Sequence, residues 1–428
     1  MGSKSNTLKG VPPCALSPTL SFPTPPQLPS LSAVHRSFDD TESRTNVTME
    51  QRLHDLLGEL VACNSINLTL AGGPGELEVA ACIAQRLEAA GVQPEVQEAA
   101  PGRANVVAVV RGRSEAPPLL LNAHIDTVGV EGMDAPFALR RDGDRLYGRG
   151  TYDMKGSAAV MLALAETFAA SPPPGDLLLT FVADEEDHSL GTEYLVEHWL
   201  PTLDAPPAAA LVLEPTEETI AVAHKGFVWL EIEVEGSAAH GSRPDEGIDA
   251  ALPLGAALDE LAVLSRELTE EPADPLLGPA SLHVGHLSGG TAWSVYPAQA
   301  RLGWERRTLP GEPEAMIHDE LDRVLHAVAG VPGDHRASGR IVFSRQPHMV
   351  PTQSLPVRLL QHACPDAAIA GVAFWADSAL LGEHMPTALF GPKGHGAHAI
   401  DEWVSLQSLA RVYEALAHAI EINADCHR

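Results

Sequence analysis

The chain has 428 residues, with 28 Lys and Arg against 57 Asp and Glu, which gives a formal net charge of −29. Such an acidic chain repels phosphate backbones and anionic lipid surfaces, so we expect neither nucleic acid nor a membrane as a partner. The length allows roughly two or three domains. The cysteines are scattered and form no C-x-x-C pair, which favours a reducing, cytoplasmic compartment over a disulfide framework.

The first stretch of the chain is not expected to belong to the folded body. Residues 1–47 are rich in Pro and Ser, and prolines interrupt each apolar stretch, so we predict a disordered or non-native tail rather than a secretory signal. Thr48 and Gln51 then have capping-box spacing before leucines that recur at helical intervals. The folded body is therefore expected to begin at residue 48.

Helical and extended patterns alternate through the next part of the chain. The runs "NVVAVV", "PLLLNAH", "LLLTFVA" and "AALVLEP" are short and apolar, as is typical of strands buried on both faces. Helical patterns separate them, including the small-residue stretch "SAAVMLALAETFAA". This alternation predicts an α/β fold, a mostly parallel mixed sheet between helices. We assign residues 48–221 and 345–428 to this domain.

The pattern changes near residue 222. The stretch "VWLEIEVEG" alternates apolar and acidic residues, which indicates a strand with one solvated face. From there the order is strand, helix, strand, strand, helix, strand, which is a split βαβ, ferredoxin-like unit. We therefore predict a smaller domain, residues 222–344, inserted in the larger one.

A run of four acids follows one of the predicted buried strands. In "LLLTFVADEEDHSLG" the strand ends directly before Asp184, Glu185, Glu186 and Asp187. An isolated charge run is most often a solvated loop. The alternative is a strong positive charge held among the acids.

Other predicted strands also end in groups that bind metals. In "NAHIDTV", His124 and Asp126 are two residues apart, so both point to one side of an extended segment. A carboxylate that fixes the second ring nitrogen of a histidine is common around metal ligands. A structural hydrogen-bonded pair is the competing interpretation of this motif.

Three more segments contribute to the same edge, because function in an open α/β sheet gathers at the carboxyl ends of the strands. They supply Asp153 in "GRGTYDMKG", Glu214 in "LEPTEE", and His395 and His398 in "GPKGHGAHAIDEWV". Carboxylates mixed with imidazoles suit zinc, manganese or cobalt. Two divalent ions sharing a carboxylate are a known hydrolytic device. The residues therefore predict a two-metal site of zinc, with cobalt or manganese as alternatives.

In order, these motifs resemble those of the dinuclear zinc amidases that include acetylornithine deacetylase, succinyl-diaminopimelate desuccinylase, aminoacylase and carboxypeptidase G. The resemblance extends over nearly all of residues 49–428. It implies Glu185 as the general base and Asp126 as the carboxylate supporting a ligand. It also implies five metal ligands, with Asp153 as the bridge and His395 as the alternative to the last: His124, Asp153, Glu186, Glu214 and His398.

The inserted segment resembles the lid and dimerisation domain of the same family. "GSAAHGSRPDEGIDA" implies that His240 reaches the active site of the partner subunit in a homodimer and steadies the oxyanion. "ERRTLPGE" implies that Arg307 binds the substrate carboxylate, while we expect Arg306 to face solvent. In "GGTAWSVYP", Ser294 stands where the family usually has an asparagine that assists substrate binding.

The hypothesis that follows is a metal-dependent hydrolase that cleaves an amide bond of a small N-acyl amino acid, close to acetylornithine deacetylase of arginine biosynthesis. A dipeptidase or carboxypeptidase of the same family is the alternative. An inactive metal or ligand binder is a third hypothesis, although a pure binder does not need Glu185 beside a ligand. A serine hydrolase is disfavoured because the chain has no G-x-S-x-G elbow.

Overall fold

The computed structural model describes residues 48–424, so the expectations for residues 1–47 lie outside the described part. Its helices are α1 Met49–Ala62, α2 Leu68–Ala71, α3 Leu77–Ala89, α4 Gly156–Ala170, α5 Leu190–Tyr194, α6 Leu254–Glu270, α7 Glu314–Ala329, α8 Leu355–Ala363, α9 Ser378–Gly382 and α10 Leu406–Glu421. Its strands are β1 Pro94–Ala100, β2 Arg103–Val110, β3 Ala116–His124, β4 Arg140–Asp142, β5 Arg145–Tyr147, β6 Gly175–Val182, β7 Ala209–Val212, β8 Ile220–His224, β9 Gly226–Glu235, β10 Ser281–Gly289, β11 Gln299–Thr308, β12 Arg336–Arg345, β13 His348–Met349, β14 Ile369–Val372, β15 Thr387–Leu389, β16 Gly394–His395 and β17 Trp403–Ser405.

A large mixed sheet organises the body of the protein. Its strand order is β1-β2-β6-β3-β7-β15-β8-β13, with β14 paired to β8. The four central strands β6, β3, β7 and β15 run parallel, and antiparallel pairs flank them on both sides. The carboxyl ends of these four strands therefore meet at one edge, as the predicted α/β fold requires.

Alternating residues of the central strands point to opposite faces of the sheet and pack in two separate cores. On one face, Leu119, Leu121 and Leu179 pack with α1, α3, α4, α8 and α10. On the other face, Leu120 and Leu178 pack with the segments around α5 and α9. Helices on both faces explain why these strands are apolar without alternation.

Thr48 caps α1 as its position predicts, but the capping box does not close. The Thr48 hydroxyl accepts the backbone N–H of Gln51 at 3.2 Å and caps α1. The Gln51 side chain donates to Asp55 rather than closing the capping box. Helix α4 packs closely because much of it is alanine, and most of it is buried. Within residues 48–424, no helix is both long and apolar enough to cross a membrane.

A second layer has its own core. Strands β10-β11-β9-β12 form an antiparallel sheet, called the small sheet below, against which α6 and α7 pack through Leu230, Ile232, Leu261 and Val324. The chain leaves the large sheet after β8 and returns to it with β13. The predicted fold class is confirmed, including this split βαβ layer, while the domain limits at residues 222 and 344 stay predictions.

Candidate metal centre

The predicted site residues meet at the carboxyl edge of the large sheet. His124 is the last residue of β3, Glu185 and Glu186 follow β6, and Glu214 follows β7. His398 belongs to the loop between β16 and β17. Three central parallel strands thus lead directly into one cluster, because they end at the same edge, and this loop joins them there.

His124 is buried and oriented by Asp126. Its Nδ1 lies 3.1 Å from the backbone oxygen of Asp126 and 3.5 Å from the Oδ1 atom of that residue. When Nδ1 carries the proton, Nε2 presents a lone pair to the cluster. The Asp126 carboxylate also accepts the backbone N–H groups of Glu185 and Glu186 at 3.1 and 3.2 Å. Asp126 therefore fixes both the histidine and the two acids.

Asp153 lies between the two halves of the cluster. Its Oδ1 is 3.0 Å from Nε2 of His124, and its Oδ2 is 3.4 Å from Nε2 of His398. His398 also approaches Oε2 of Glu186 at 2.8 Å. The two oxygens of Asp153 therefore face different histidines, which is the arrangement that a bridging carboxylate needs.

Glu214 and Glu185 complete the first half of the cluster. The Nε2 atom of His124 is 3.9 Å from Oε1 of Glu214 and 4.0 Å from Oε2 of Glu185. Two groups in the described residues have ligand atoms close enough to share an ion: His124 with Glu185 and Glu214, and His124 with Asp153 and Glu186. The assignment of individual ligands to the two ions stays a prediction.

The protonation of the cluster reflects crowding of like charges. Burial, and then the Glu214 carboxylate, raises the pKa of Glu185 well above its usual value. Burial and the nearby Asp153 carboxylate raise the pKa of Glu186 to about 7. Hydrogen bonds to Asp153 and Glu186 raise the pKa of His398 to about 10. Buried acids repel one another unless cations balance them.

The donor set fits divalent cations. The Oε1 atom of Glu186 is buried and has no hydrogen-bond partner, while its Oε2 atom faces His398. A buried carboxylate oxygen without a partner is costly unless something positive binds it. Oxygen and imidazole nitrogen donors without thiolate suit zinc, cobalt or manganese.

Asp184, the first acid of the predicted run, has structural partners. The Arg103 guanidinium binds Glu76 through two hydrogen bonds and approaches Oδ1 of Asp184 at 2.6 Å. Asn67 donates to both Asp184 and Asp126, at 3.0 and 2.8 Å. Asp184 therefore belongs to a buried network behind the site, whereas Glu185, Glu186 and Asp187 line the pocket.

Glu402 is a supporting residue whose role the sequence did not indicate. Its carboxylate accepts the backbone N–H groups of Gly150, Tyr152 and Asp153 at 2.9, 2.9 and 3.2 Å, and it pairs with Arg149 at 2.7 Å. It is 1% exposed. The only available signal was its position near the end of "GAHAIDEWV", where it served to locate His398.

The small sheet brings Arg307 to the pocket and corrects the expectation for Arg306. Arg307 lines the same pocket as Asp153. Arg306 is fully buried and pairs with Glu312 at 2.9 Å and Glu320 at 3.2 Å, so the expectation that it faces solvent is wrong. Successive residues of a strand alternate in direction, and Arg306 shares the inner face of β11.

Three predicted or alternative residues lie apart from the cluster. His240 and Ser294 are exposed and do not line the pocket. They are neighbours, because Gly241 donates its backbone N–H to the Ser294 oxygen at 2.6 Å. His395 is exposed in β16, where its backbone pairs with Trp403. The structure therefore favours His398 over His395 at the cluster.

The family follows from a comparison with known proteins. Residues 120–422 match the model of the family described as Peptidase family M20/M25/M40. The matched segment includes the metal-site residues described above and the small sheet. The chain belongs to this family of hydrolases, and the recognition made from its motifs is confirmed.

Individual relatives differ in their named activities. The chain is 31% identical to an acetylornithine deacetylase of Myxococcus xanthus, over 78% of this chain and 89% of that protein. It is 34% identical to a probable carboxypeptidase of Aspergillus terreus over 54% of this chain, and this match spans about half (53%) of the carboxypeptidase. Its fold resembles the YXEP protein of Bacillus subtilis, described as a dinuclear metal binding peptidase, with a TM-score of 0.66, 18% identity and coverage of 88% and 98%.

Proposed function

We propose that the protein is a hydrolase dependent on two divalent metal ions, and that it cleaves the amide bond of a small N-acyl amino acid. The observation that carries the proposal is Glu185, a partly buried acid next to the cluster, 4.0 Å from Nε2 of His124. A binding protein needs ligands, but it does not need an additional acid beside them. The acetylornithine deacetylase relative supports the deacylase assignment.

The proposed ions would be held in two halves that share Asp153. His124 and Glu214 would hold one ion, and Glu186 and His398 would hold the other. Zinc is the metal we propose first, with cobalt or manganese as alternatives that the same donors accept. When bound, such ions polarise a scissile carbonyl and make a water more acidic.

The chain's own residues then supply the proton transfers. Glu185 is placed to accept the proton of the attacking water and to deliver it to the departing nitrogen. The Asp126 carboxylate accepts the backbone N–H of Glu185 at 3.1 Å, which fixes the backbone position from which the Glu185 side chain extends. Arg307, in the same pocket, is placed to bind a carboxylate of the substrate.

A dipeptidase or carboxypeptidase is the second candidate function. Its support is Arg307, because a guanidinium at a fixed place in the pocket suits the terminal carboxylate of a peptide as well as that of an acyl amino acid. The probable carboxypeptidase relative is consistent with it. Both functions use the same hydrolysis, and they differ in the acyl group that the pocket accepts.

We propose further that the protein acts as a homodimer through the small sheet. His240 accepts the backbone N–H of Ser242 at Nδ1, which leaves Nε2 as the ring nitrogen able to donate to an oxyanion. Nearby, β10 is an edge strand, and Trp293 and Leu287 are strongly exposed. An exposed edge with apolar side chains favours association, and a partner's site would receive His240 and Ser294.

A cytoplasmic location is the remaining part of the proposal. The described cysteines Cys63, Cys82 and Cys364 are free thiols, which suits a reducing compartment. Small-molecule amides, rather than nucleic acid or lipid, are the proposed partners of such an acidic chain.

The proposed function is tested with purified protein after extensive dialysis against a chelator. Activity is measured on N-acyl amino acids and on dipeptides, with and without added zinc or cobalt, and bound metal is measured in parallel. We expect about two ions per chain and hydrolysis only after metal is added. Absence of bound ions together with no gain of activity would contradict the proposal.

A further inference from the structure

The metal cluster opens into a pocket of about 530 Å³, and one wall of this pocket is aromatic. We call Phe227, Trp229, Phe374 and Trp375, which line the pocket, the aromatic wall. Phe227 and Trp229 come from β9 of the small sheet, whereas Phe374 and Trp375 come from the segment between β14 and α9. The two layers of the protein therefore build the wall together.

Along one face of β9, the side chains change from acidic to aromatic towards the metal cluster. At the far end of β9, that face carries Glu231 and Glu233, which pair with Arg340 and Arg301. Nearer the metal cluster, the same alternation presents Trp229 and Phe227. Phe227 and Trp375 are each 9% exposed and pack with Ala379 between the two layers, and all four rings of the wall also line the pocket.

Arg307, the proposed carboxylate-binding residue, lies next to the wall. Phe227 is directly opposite Arg307 in the strand pairing, and the Arg307 guanidinium carbon is 5.5 Å from the Phe227 ring centre. Glu305 accepts from Nε of Arg307 at 2.6 Å and from Nε1 of Trp229 at 3.0 Å, which ties arginine and wall together. A leaving amino acid whose carboxylate is bound by Arg307 would place its side chain against these rings.

Two rings of the wall already have arginines beside them, each paired with an acid: Arg307 with Glu305, and Arg345 with Glu193. The Arg345 guanidinium carbon lies 5.8 Å from the Trp375 ring, and Arg307 occupies the same kind of position at Phe227. The ring faces that could bind a substrate ammonium group by cation–π attraction already have the chain's own arginines beside them. A bulky apolar side chain has no such conflict.

From these contacts we infer that the preferred substrate releases an amino acid with an aromatic or bulky apolar side chain, rather than a cationic one such as ornithine. This inference rests on the proposed amide hydrolysis and specifies the amine part of the substrate. The aromatic wall selects the side chain of the leaving amino acid, while Arg307 binds its carboxylate.

The test compares four substrates on the zinc-loaded enzyme: N-acetylphenylalanine, N-acetylalanine, Nα-acetylornithine and N-benzoylalanine. We expect kcat/KM for N-acetylphenylalanine to exceed the values for the other three by about tenfold or more, as hydrophobic pockets discriminate. Calorimetric titration with the free products should show tighter binding of phenylalanine than of ornithine.

The variants Phe227→Leu and Phe374→Ala test the wall itself. Each should reduce the preference for N-acetylphenylalanine over N-acetylalanine by about tenfold. Phe374 is 37% exposed, so its removal leaves the fold intact if the Phe227 variant is unstable. Phe343→Leu is the matched control. The ring centres of Phe343 and Trp229 are 5.4 Å apart, but Phe343 does not line the pocket.

Each outcome decides between the claims. Three results would overturn the inference and leave the proposed function standing. These are a preference for Nα-acetylornithine, a preference for the aromatic acyl group of N-benzoylalanine, and equal hydrolysis of all four substrates. Metal-loaded protein that hydrolyses none of the four substrates and binds neither product would overturn both. An unchanged preference in both wall variants would remove the wall from substrate selection.

Discussion

The carboxylate of Glu402 accepts the backbone N–H of Asp153 at 3.2 Å, although the two residues are 249 positions apart. The same carboxylate accepts the N–H of Tyr152 at 2.9 Å. Glu402 also lies four positions after His398. A single buried acid therefore connects the two segments that approach each other at the metal cluster. Its burial raises its pKa, against the lowering effect of these hydrogen bonds.

Glu402→Gln is therefore expected to weaken metal binding without removing a ligand. The amide keeps the size but replaces one of the two acceptor oxygens with a donor, which would face N–H groups. Outer residues of metal sites typically contribute about 10–100-fold to affinity. Competition with a chelating dye measures the change. Asp401→Asn, at an exposed neighbouring position, is the control and should leave affinity unchanged.

A second prediction concerns protons released when metal binds. The hydrogen bonds to Asp153 and Glu186 raise the pKa of His398 to about 10, so in the metal-free protein at pH 8 it carries a proton that it must lose to become a ligand. Metal affinity should therefore rise as the pH increases from 7 to 9. Calorimetry in buffers of different ionisation enthalpy counts the protons released.

His398→Ala should release about one proton fewer than the wild type and bind metal more weakly. His395→Ala is the matched control, an exposed histidine three positions away. If His395→Ala loses the proton and the affinity while His398→Ala loses neither, the assignment of the ligand is wrong.

The third prediction tests the proposed dimer. Subunits with His240→Ala are mixed with subunits carrying Glu185→Ala, under conditions that exchange them. If His240 acts in the partner's site, each mixed dimer regains one working site, and random mixing restores about a quarter of wild-type activity. Each variant exchanged with itself is the control. Proven exchange without recovery would show that His240 does not act across the interface.

The fourth prediction concerns stability in acid. Burial, helped by His348, lowers the pKa of His224 to about 3, far below the ordinary value of about 6.5 for histidine. Between these values the unfolded chain binds a proton that the folded protein excludes, so the free energy of unfolding falls as the pH drops below about 6.5. From pH 7 to 5, this one group should reduce it by about 2 kcal/mol.

His224→Gln preserves a polar group near Ser378, which His224 contacts at 2.9 Å, but removes the titration. Urea unfolding of the metal-free proteins at pH 7 and pH 5 gives the comparison. The variant should lose about 2 kcal/mol less than the wild type over this interval. Parallel losses in both proteins would mean that His224 does not carry the acid sensitivity.

Much of the site's location could be predicted because it depends on strand order. The apolar runs that precede His124, Glu185 and Glu214 end at one edge of the sheet, because their strands are parallel. The burial of Arg306 could also have been predicted, since it follows Trp304 by two positions on β11 and therefore shares its inner face.

Other features could not be obtained from sequence pattern. The aromatic wall joins Phe227 to Trp375, and their rings, 6.1 Å apart, come from segments separated by 148 positions. Periodicity predicts which face of a strand a residue occupies, but not what that face meets. The contact of His398 with Glu186 at 2.8 Å depends in the same way on a loop conformation, with φ of +64° at His398.

The central claim is that Glu185 moves the proton while Glu186 helps to hold metal, and Glu185→Gln tests it most directly. The change keeps the size of the side chain and removes its ability to accept a proton. The measurement is kcat on the best amide substrate, together with bound metal per chain, for Glu185→Gln and Glu186→Gln side by side. We predict that Glu185→Gln lowers kcat by about 10²–10⁴ with unchanged metal content, while Glu186→Gln lowers metal affinity. If Glu185→Gln retains more than about a tenth of the wild-type kcat, or loses its metal, Glu185 is not the general base.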